Sequence, residues 1–233
     1  MRLPPDTAAA TAAAALRVGG MTALTTIDFP GRLSAVVFCQ GCPWRCGYCH
    51  NPALLDAGAP AGMAWAQVLG FLETRRGLLD GVVFSGGEPT LQAALPGAIA
   101  AVRARGFEAA LHTAGMYPGR LAAVLPALDW VGLDIKAPEH RYDAITRVPG
   151  SGGRAWESLR RWLASGVAGE CRTTWHHGLF DVAELHALAA RLAALGVTHW
   201  ALQACRGGAG AALGRADVDR LAARFSHFTL REA

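Results

Sequence analysis

The chain has 233 residues, 52% of them hydrophobic and 17% charged, with a formal net charge of +4. That is enough for a sizeable core and excludes a disordered chain. The small charge gives no basis for a nucleic-acid or membrane-surface partner, and no apolar run reaches the roughly 18 residues of a membrane span.

From the N-terminus, Met1–Ala15 is Ala- and Pro-rich, with one Arg and no strong apolar centre. It makes a poor signal peptide and predicts a flexible extension over residues 1–19, followed by a single domain over 20–233 in the cytoplasm. Short apolar runs then recur: Leu33–Cys39, Val82–Phe84, Glu108–Leu111, Trp130–Ile135, Cys171–Trp175 and Trp200–Leu202. Each is bounded by Gly, Asp, Ser or Thr, as buried parallel strands tend to be. Helical stripes lie between them. Trp65, Val68, Leu69 and Leu72 keep i, i+3, i+4, i+7 spacing, as do Val182, Leu185, Ala189 and Leu192. Asp181 with Glu184 predicts an N-cap, and Gly196 a C-terminal stop. Trp156, Leu159 and Leu163 mark a further helix. Six β–α units predict an α/β fold, an incomplete (β/α)6 TIM-like barrel of parallel strands, because the full eight-unit barrel takes about 250 residues. Ligands in such folds sit at the C-terminal ends of the strands.

Six cysteines are present, and Cys39, Cys42, Cys46 and Cys49 fall in one short segment directly after the first apolar run. In a chain with no export signal, such crowding reads as metal binding rather than a disulfide framework. Cys42, Cys46 and Cys49 form C-x3-C-x2-C. Three thiolates on one loop can hold three irons of a cubane and leave the fourth open to a substrate, whereas closed clusters and structural zinc take four ligands. Adding Cys39 gives C-x2-C-x3-C-x2-C, which suits a zinc or ferredoxin-like binding module. Cys39 is still in the strand run, where a buried Cys acts as a small hydrophobe. His50 follows directly, with packing or hydrogen bonding as its expected role.

At the end of the second run stands Phe84-Ser85-Gly86-Gly87-Glu88-Pro89-Thr90. Glycines admit a ligand close to the backbone, and a carboxylate can take an ammonium group. The basic residues are 21 Arg and a single Lys, Lys136, among 22. Its ammonium is not interchangeable with a guanidinium.

Cys42, Cys46, Tyr48 and Cys49 together resemble the C-x3-C-x-aromatic-C motif of the radical S-adenosylmethionine (SAM) superfamily, and Gly86-Gly87-Glu88-Pro89 resembles its second motif. The flanking words Thr26-Ile27-Asp28-Phe29-Pro30-Gly31, Cys49-His50-Asn51-Pro52, Leu133-Asp134-Ile135-Lys136 and Arg172-Thr173-Thr174 narrow the likeness. The set, running from about Gly20 to Arg206, resembles the activating enzymes of glycyl radical enzymes, above all those of anaerobic ribonucleoside-triphosphate reductase.

The resemblance implies one 4Fe–4S cluster on Cys42, Cys46 and Cys49, and SAM bound by Tyr48, Ser85, Gly86, Gly87, Glu88, Thr113 and Arg172. It places Asp134 and Lys136 at the active-site mouth. It also implies reductive cleavage of SAM to a 5′-deoxyadenosyl radical, which takes hydrogen from a glycine of a partner enzyme. The implied partners are that glycyl radical enzyme and reduced flavodoxin or ferredoxin as electron donor. One departure stands out: where related pyruvate formate-lyase activating enzymes carry Asp-Thr-Asn-Gly, this chain has His112-Thr113-Ala114-Gly115, which puts a bound monovalent cation in question. His176 and His177 carry no assigned role. Two further readings stay open: a radical SAM enzyme with another substrate, and a non-catalytic Fe–S or zinc module.

Overall fold

The computed structural model describes residues 13–205 and 213–231. Residues 1–12, the greater part of the expected extension, and Arg206 lie outside them. The described end of that extension is not loose: Leu16 and Val18 are buried, and Val18 opens a strand. The chain divides into two compact units, both discontinuous in sequence.

The first unit comprises residues up to Pro43, Asn51–Thr113 and Gly119–Val131. It carries strands β1 (Val18–Thr25), β2 (Ser34–Cys39), β3 (Gly81–Gly86) and β4 (Glu108–Thr113), with helices α1 (Trp65–Glu73) and α2 (Leu95–Arg103) between them. Strand β2 pairs parallel with β3, and β3 with β4. Val36 is the register partner of Val83, and Val83 of Ala110. These three, with Phe29 and Trp130, form one buried cluster. Because alternate residues of a strand face opposite ways, Val37 and Phe84 face the other side, where Trp65 of α1 packs 6.2 Å from the Phe84 ring. Trp65, Val68 and Leu72 are the buried stripe of that helix, as their spacing predicts. Each such side chain contributes roughly 1.5–3 kcal/mol by leaving water.

The second unit comprises Trp44–His50, Ala114–Pro118 and Gly132 onward. Helix α3 (Pro118–Val124) and strand β5 (Trp130–Asp134) each divide between the units. In the first unit Asp129 N–H donates to Ala109 O at 2.8 Å, beside β4; in the second, Ile135 N–H donates to Arg172 O at 2.8 Å. Then come α4 (Tyr142–Thr146), α5 (Ser151–Ser165), β6 (Gly169–Trp175), α6 (Val182–Ala194), β7 (His199–Ala204), α7 (Arg215–Ala222) and β8 (His227–Arg231). Strands β6, β7 and β8 pair parallel in that order. The Asp181–Glu184 capping box forms, Gly196 stops the helix at φ +93°, and Trp156 and Leu159 are buried.

The fold is α/β with a mostly parallel sheet. The six expected strands are β2 to β7, each within a residue or two of its expected bounds. Two more occur among the described residues. Strand β1 runs antiparallel to β2; its Gly19-Gly20 pair and half-exposed face hide it from a search for apolar runs. Strand β8 is short and has no fully buried residue. Among the described residues, no helix is long and apolar enough to cross a membrane.

The segment after β5 is tied to α6 by charge. Glu184 accepts from Arg141 Nε at 2.8 Å and Nη2 at 2.9 Å, and pairs with His140 Nε2 at 2.9 Å. The Arg141 bonds, helped by His140, hold the Glu184 carboxyl down at about 2, against an ordinary value of about 4.3. A depressed carboxyl stabilises the fold above its ordinary pKa, and that contribution is lost as pH falls toward the folded value. Glu184→Gln should therefore flatten the loss of stability between about pH 4 and pH 2. Urea midpoints measured across that range check it; an unchanged slope would remove Glu184 from the acid response.

Candidate functional site

In the first unit, the turn after β3 is sewn to the segment after β2. Gly87 N–H donates to Cys39 O and Glu88 N–H to Gly41 O, both at 2.9 Å; Gly41 N–H donates to Leu54 O at 2.8 Å. Backbone lies so close to backbone that side chains are shut out. A Cβ on Gly86, at φ +111°, would stand 2.5 Å from Cys39 N, and one on Gly87 would stand 2.3 Å from Gly41 O. The glycines thus have a steric reason independent of any ligand.

Glu88 is fully buried. Its Oε1 accepts from Thr90 N–H at 3.0 Å, from the Thr90 hydroxyl, and from the Thr113 hydroxyl at 2.6 Å. Thr113, at the end of β4, therefore orients the carboxylate. A buried carboxylate held by neutral donors suits an ammonium partner. Ser85 is half-buried, opposite Phe38 in the register.

Cys39 is on the same side of β2 as Val37, and fully buried. Burial, with the nearby Glu88 charge, pushes its thiol up, and a protonated thiol is a poor metal ligand. Gln40, not singled out in the sequence, is buried and donates from Nε2 to Ala53 O at 3.2 Å and Asp56 O at 2.8 Å. His112 Nε2 bonds Asp28 O at 2.8 Å, and its ring meets Trp130 edge-on at 5.6 Å. That brings the Thr26–Gly31 segment and β4 together and accounts for His112 by local bonding.

In the second unit, Trp44–His50 packs on α4. Trp44 is buried edge-on against Tyr142 at 6.0 Å, and Arg45 N–H donates to Thr146 O at 2.9 Å. Cys49 N–H donates to Cys46 O at 3.1 Å, closing a tight turn. The Tyr48 hydroxyl oxygen is buried without a hydrogen-bond partner among the described residues. Such an atom costs stability unless something else satisfies it.

Over the Tyr48 ring stands Lys136 Nζ, 5.7 Å from its centroid and 3.1 Å from Asp134 Oδ2. Asp134 ends β5 and Lys136 lies two residues on, where the two side chains form an ion pair. Lys136 N–H donates to the buried Tyr142 hydroxyl at 2.8 Å. Burial disfavours the Lys136 ammonium, but Tyr48, Asp134 and Cys46 outweigh it and hold its pKa well above the ordinary value. Burial raises the Cys46 thiol, against the pull of Lys136.

All six cysteines are free thiols. Cys42, Cys46 and Cys49 are partly exposed; Cys39, Cys171 and Cys205 are buried. Among the described residues, no three His, Cys, Asp or Glu side chains stand in position to hold a metal ion. Cys42 belongs to the first unit, Cys46 and Cys49 to the second. The donor chemistry nevertheless fits an iron–sulfur cluster: three reachable thiols on one loop, with the fourth cysteine withdrawn into the core.

Arg172 is accounted for locally. Its Nε donates to Glu170 Oε1 at 2.8 Å, and its guanidinium fills the space over Gly132, where a Cβ would come within 2.6 Å of Cζ. Glu170 also holds Arg231 at 2.7 Å. His176 Nδ1 accepts from Gly178 N–H at 3.1 Å; His50 and His177 are exposed.

Residues 36–192 match the profile of the Radical SAM superfamily. A protein of Methanocaldococcus jannaschii, provisionally named a glycyl-radical enzyme activating enzyme, is 28% identical over 179 residues, 74% of this chain and 73% of that protein. The pyruvate formate-lyase-activating enzyme of Clostridium pasteurianum is 33% identical over 149 residues, 61% of each chain. The chain thus spans about three fifths of this second relative. Among solved structures, a radical SAM methyltransferase from Sphaerobacter thermophilus superposes with TM-score 0.64 at 19% identity, over 90% of this chain and 68% of that one. QueE from Escherichia coli does so with TM-score 0.56 at 19% identity, over 93% of each. At such identities these two speak for the fold alone.

Gly86→Ala should cost about 3 kcal/mol, from backbone strain plus the clash with β2. Gly119→Ala, with open space around its Cβ, should cost nothing or stabilise slightly. Urea denaturation of the two variants gives the comparison; equal stabilities would contradict the steric account.

Proposed function

We propose that this chain, which belongs to the radical SAM superfamily, activates a glycyl radical enzyme, and that its partner is anaerobic ribonucleoside-triphosphate reductase. Members of the superfamily use a 4Fe–4S cluster and SAM. The observation that carries the reading is the seating of Tyr48, inside the three-cysteine motif, beneath the Asp134–Lys136 pair at the end of β5. The names of the two relatives support it. The choice of reductase rests on the flanking motifs.

Cys42, Cys46 and Cys49 hold the cluster in this reading. When bound, cluster and SAM supply one-electron cleavage to a 5′-deoxyadenosyl radical that takes hydrogen from the partner's glycine. The chain's own residues bind and orient. Glu88, held by Thr90 and Thr113, receives the methionine ammonium. Ser85, Gly86 and Gly87 bring backbone close to it, and Tyr48 lies by the adenine. Asp134 and Lys136 present opposite charges at the mouth; Asp134 is the more exposed. Arg172, held by Glu170, lies near SAM. Reduced flavodoxin or ferredoxin is the donor. Six free thiols suit the reducing cytoplasm.

A second reading has one specific support: 7-carboxy-7-deazaguanine synthase of Methanopyrus kandleri is 32% identical over 132 residues, 48% of this chain. It predicts the same cluster but a small-molecule substrate.

Anaerobically reconstituted, reduced protein should show a 4Fe–4S electron paramagnetic resonance signal that SAM changes. Cys42→Ala, Cys46→Ala and Cys49→Ala should each reduce SAM cleavage to background, and Cys39→Ser should leave the signal in place. Mixed with the anaerobic reductase, the protein should raise a glycyl-radical doublet; SAM cleavage without that doublet would favour the second reading. Lys136→Met should keep the cluster signal and slow radical formation on the order of 100-fold; an unchanged rate would remove Lys136 from the machinery.

A further inference from the structure

We infer that Gln92 is a positioning residue for SAM: its side-chain amide pins the Glu88 turn to the base of the cysteine loop. This deepens the proposed function and rests on its assignment of Glu88 to the methionine ammonium. Arg17, Gln40, Ala53–Asp56, Glu88–Gln92 and Arg120 all belong to the first unit.

Glu88 opens the 3₁₀ turn Pro89–Leu91 and caps it by accepting from Thr90 N–H. Gln92 closes that turn, its N–H donating to Pro89 O at 3.0 Å. Leu91 N–H donates to Glu88 O at 3.0 Å. Arg120 Nη1 donates to Thr90 O at 3.1 Å and also to Leu91 O. Every carbonyl from Glu88 to Leu91 is therefore engaged, and the turn shifts only as a whole. Whatever fixes Gln92 fixes the backbone that carries Glu88.

The Gln92 side chain is held outside its own turn. Its Oε1 accepts from Arg17 N–H at 2.7 Å, and its Nε2 donates to Arg17 O at 2.9 Å and to Gln40 O at 3.1 Å. An amide offers acceptor and donor side by side, so it pairs with the N–H and C=O of one residue as a neighbouring strand does. A carboxylate of the same length keeps the acceptor and loses both donors.

Gln40 carries the link onward. Its N–H donates to Arg17 O at 2.9 Å, and its Nε2 reaches Ala53 O and Asp56 O, beyond the last cysteine of the loop. Gly41 N–H donates to Leu54 O at 2.8 Å and Cys42 N–H to Leu55 O at 3.1 Å. These bonds join the two flanks of Cys42–Cys49 at their base. Gln40 is buried and Gln92 half-buried, so loss of either amide leaves carbonyls that water meets poorly. SAM has to meet the Glu88 turn and the cluster together, and a shift of one against the other is read as lost affinity.

The test uses the reconstituted holoprotein with SAM as probe. Equilibrium dialysis gives SAM affinity, iron content and the electron paramagnetic resonance signal report the cluster, and the urea midpoint reports the fold. Gln92→Met, close in length, should weaken SAM binding about tenfold, with iron content and the signal without SAM as in the parent. Glu88→Gln should also weaken it. Adding Gln92→Met to Glu88→Gln should cost less than about twofold more, because Gln92 acts through Glu88. Parent-like SAM affinity in Gln92→Met would overturn the inference even with a lowered urea midpoint, since that is the mark of a merely structural role. A full second loss in the double variant would overturn it too, as would loss of the cluster from Gln92→Met, which would mean action on the iron ligands instead. If Gln92→Met does not fold, Gln92→Glu takes its place, with a loss of about threefold expected and no loss overturning the inference. Parent affinity in Glu88→Gln would instead overturn the assignment of Glu88 on which the inference rests.

Discussion

The backbone lock between the Gly86-Gly87-Glu88 turn and the Cys39-Gln40-Gly41 segment is the constraint on which the first unit's chemistry depends. Two amide–carbonyl bonds join the segments, and no side chain fits between them. The turn cannot shift without carrying the start of the cysteine loop with it. Glu88 gains its fixed position from that lock, and its polarity is met by threonines from two elements, Thr90 and Thr113. Parallel register does the rest: Phe38 opposite Ser85 and Cys39 opposite Gly86 bring both strands to an end at the same level. Motifs about forty residues apart in the chain meet as a result.

The second unit works by a different device. Tyr142 reaches two candidate site segments at once, its hydroxyl on the Lys136 backbone and its ring on Trp44. The Tyr48–Asp134–Lys136 group is therefore braced from behind by a buried aromatic. Beyond it, the Glu184–Arg141–His140 network ties the following loop to α6. The charge of Lys136 survives burial because Tyr48, Asp134 and Cys46 outweigh the cost of desolvation. An Arg there would need room for a planar fork, and the sequence, otherwise committed to Arg, keeps a Lys.

One residue type can serve two ends. Gly86 and Gly87 resemble a ligand-binding motif, yet each already has a steric reason in the fold. Arg172 resembles a ligand contact, yet Glu170 and the gap over Gly132 occupy it. Thr113, a candidate ligand contact, also donates its hydroxyl to Glu88. In these places a local sequence word marks a structural necessity as strongly as a functional one.

Much was legible from the chain by itself. Apolar runs bounded by turn residues located β2 to β7, because burial on both faces leaves a continuous hydrophobic signal. Helical spacing located the Trp65 and Val182 stripes, and the Asp181–Glu184 pair its own cap, because these depend only on neighbours in sequence. The cysteine spacing and Asp134-x-Lys136 were likewise local. Strands β1 and β8 were not legible: half-exposed edge strands owe their existence to the partner strand, not to their own composition. Gln40 and Tyr142 were missed for the same reason, since their bonds go to residues far along the chain or to backbone. Which cysteine withdraws into the core, which hydroxyl holds Glu88, and what surrounds the single lysine were decided only in the tertiary structure. Burial, hydrogen-bond geometry and electrostatic environment are properties of the assembled neighbours, whereas residue type and spacing belong to the chain.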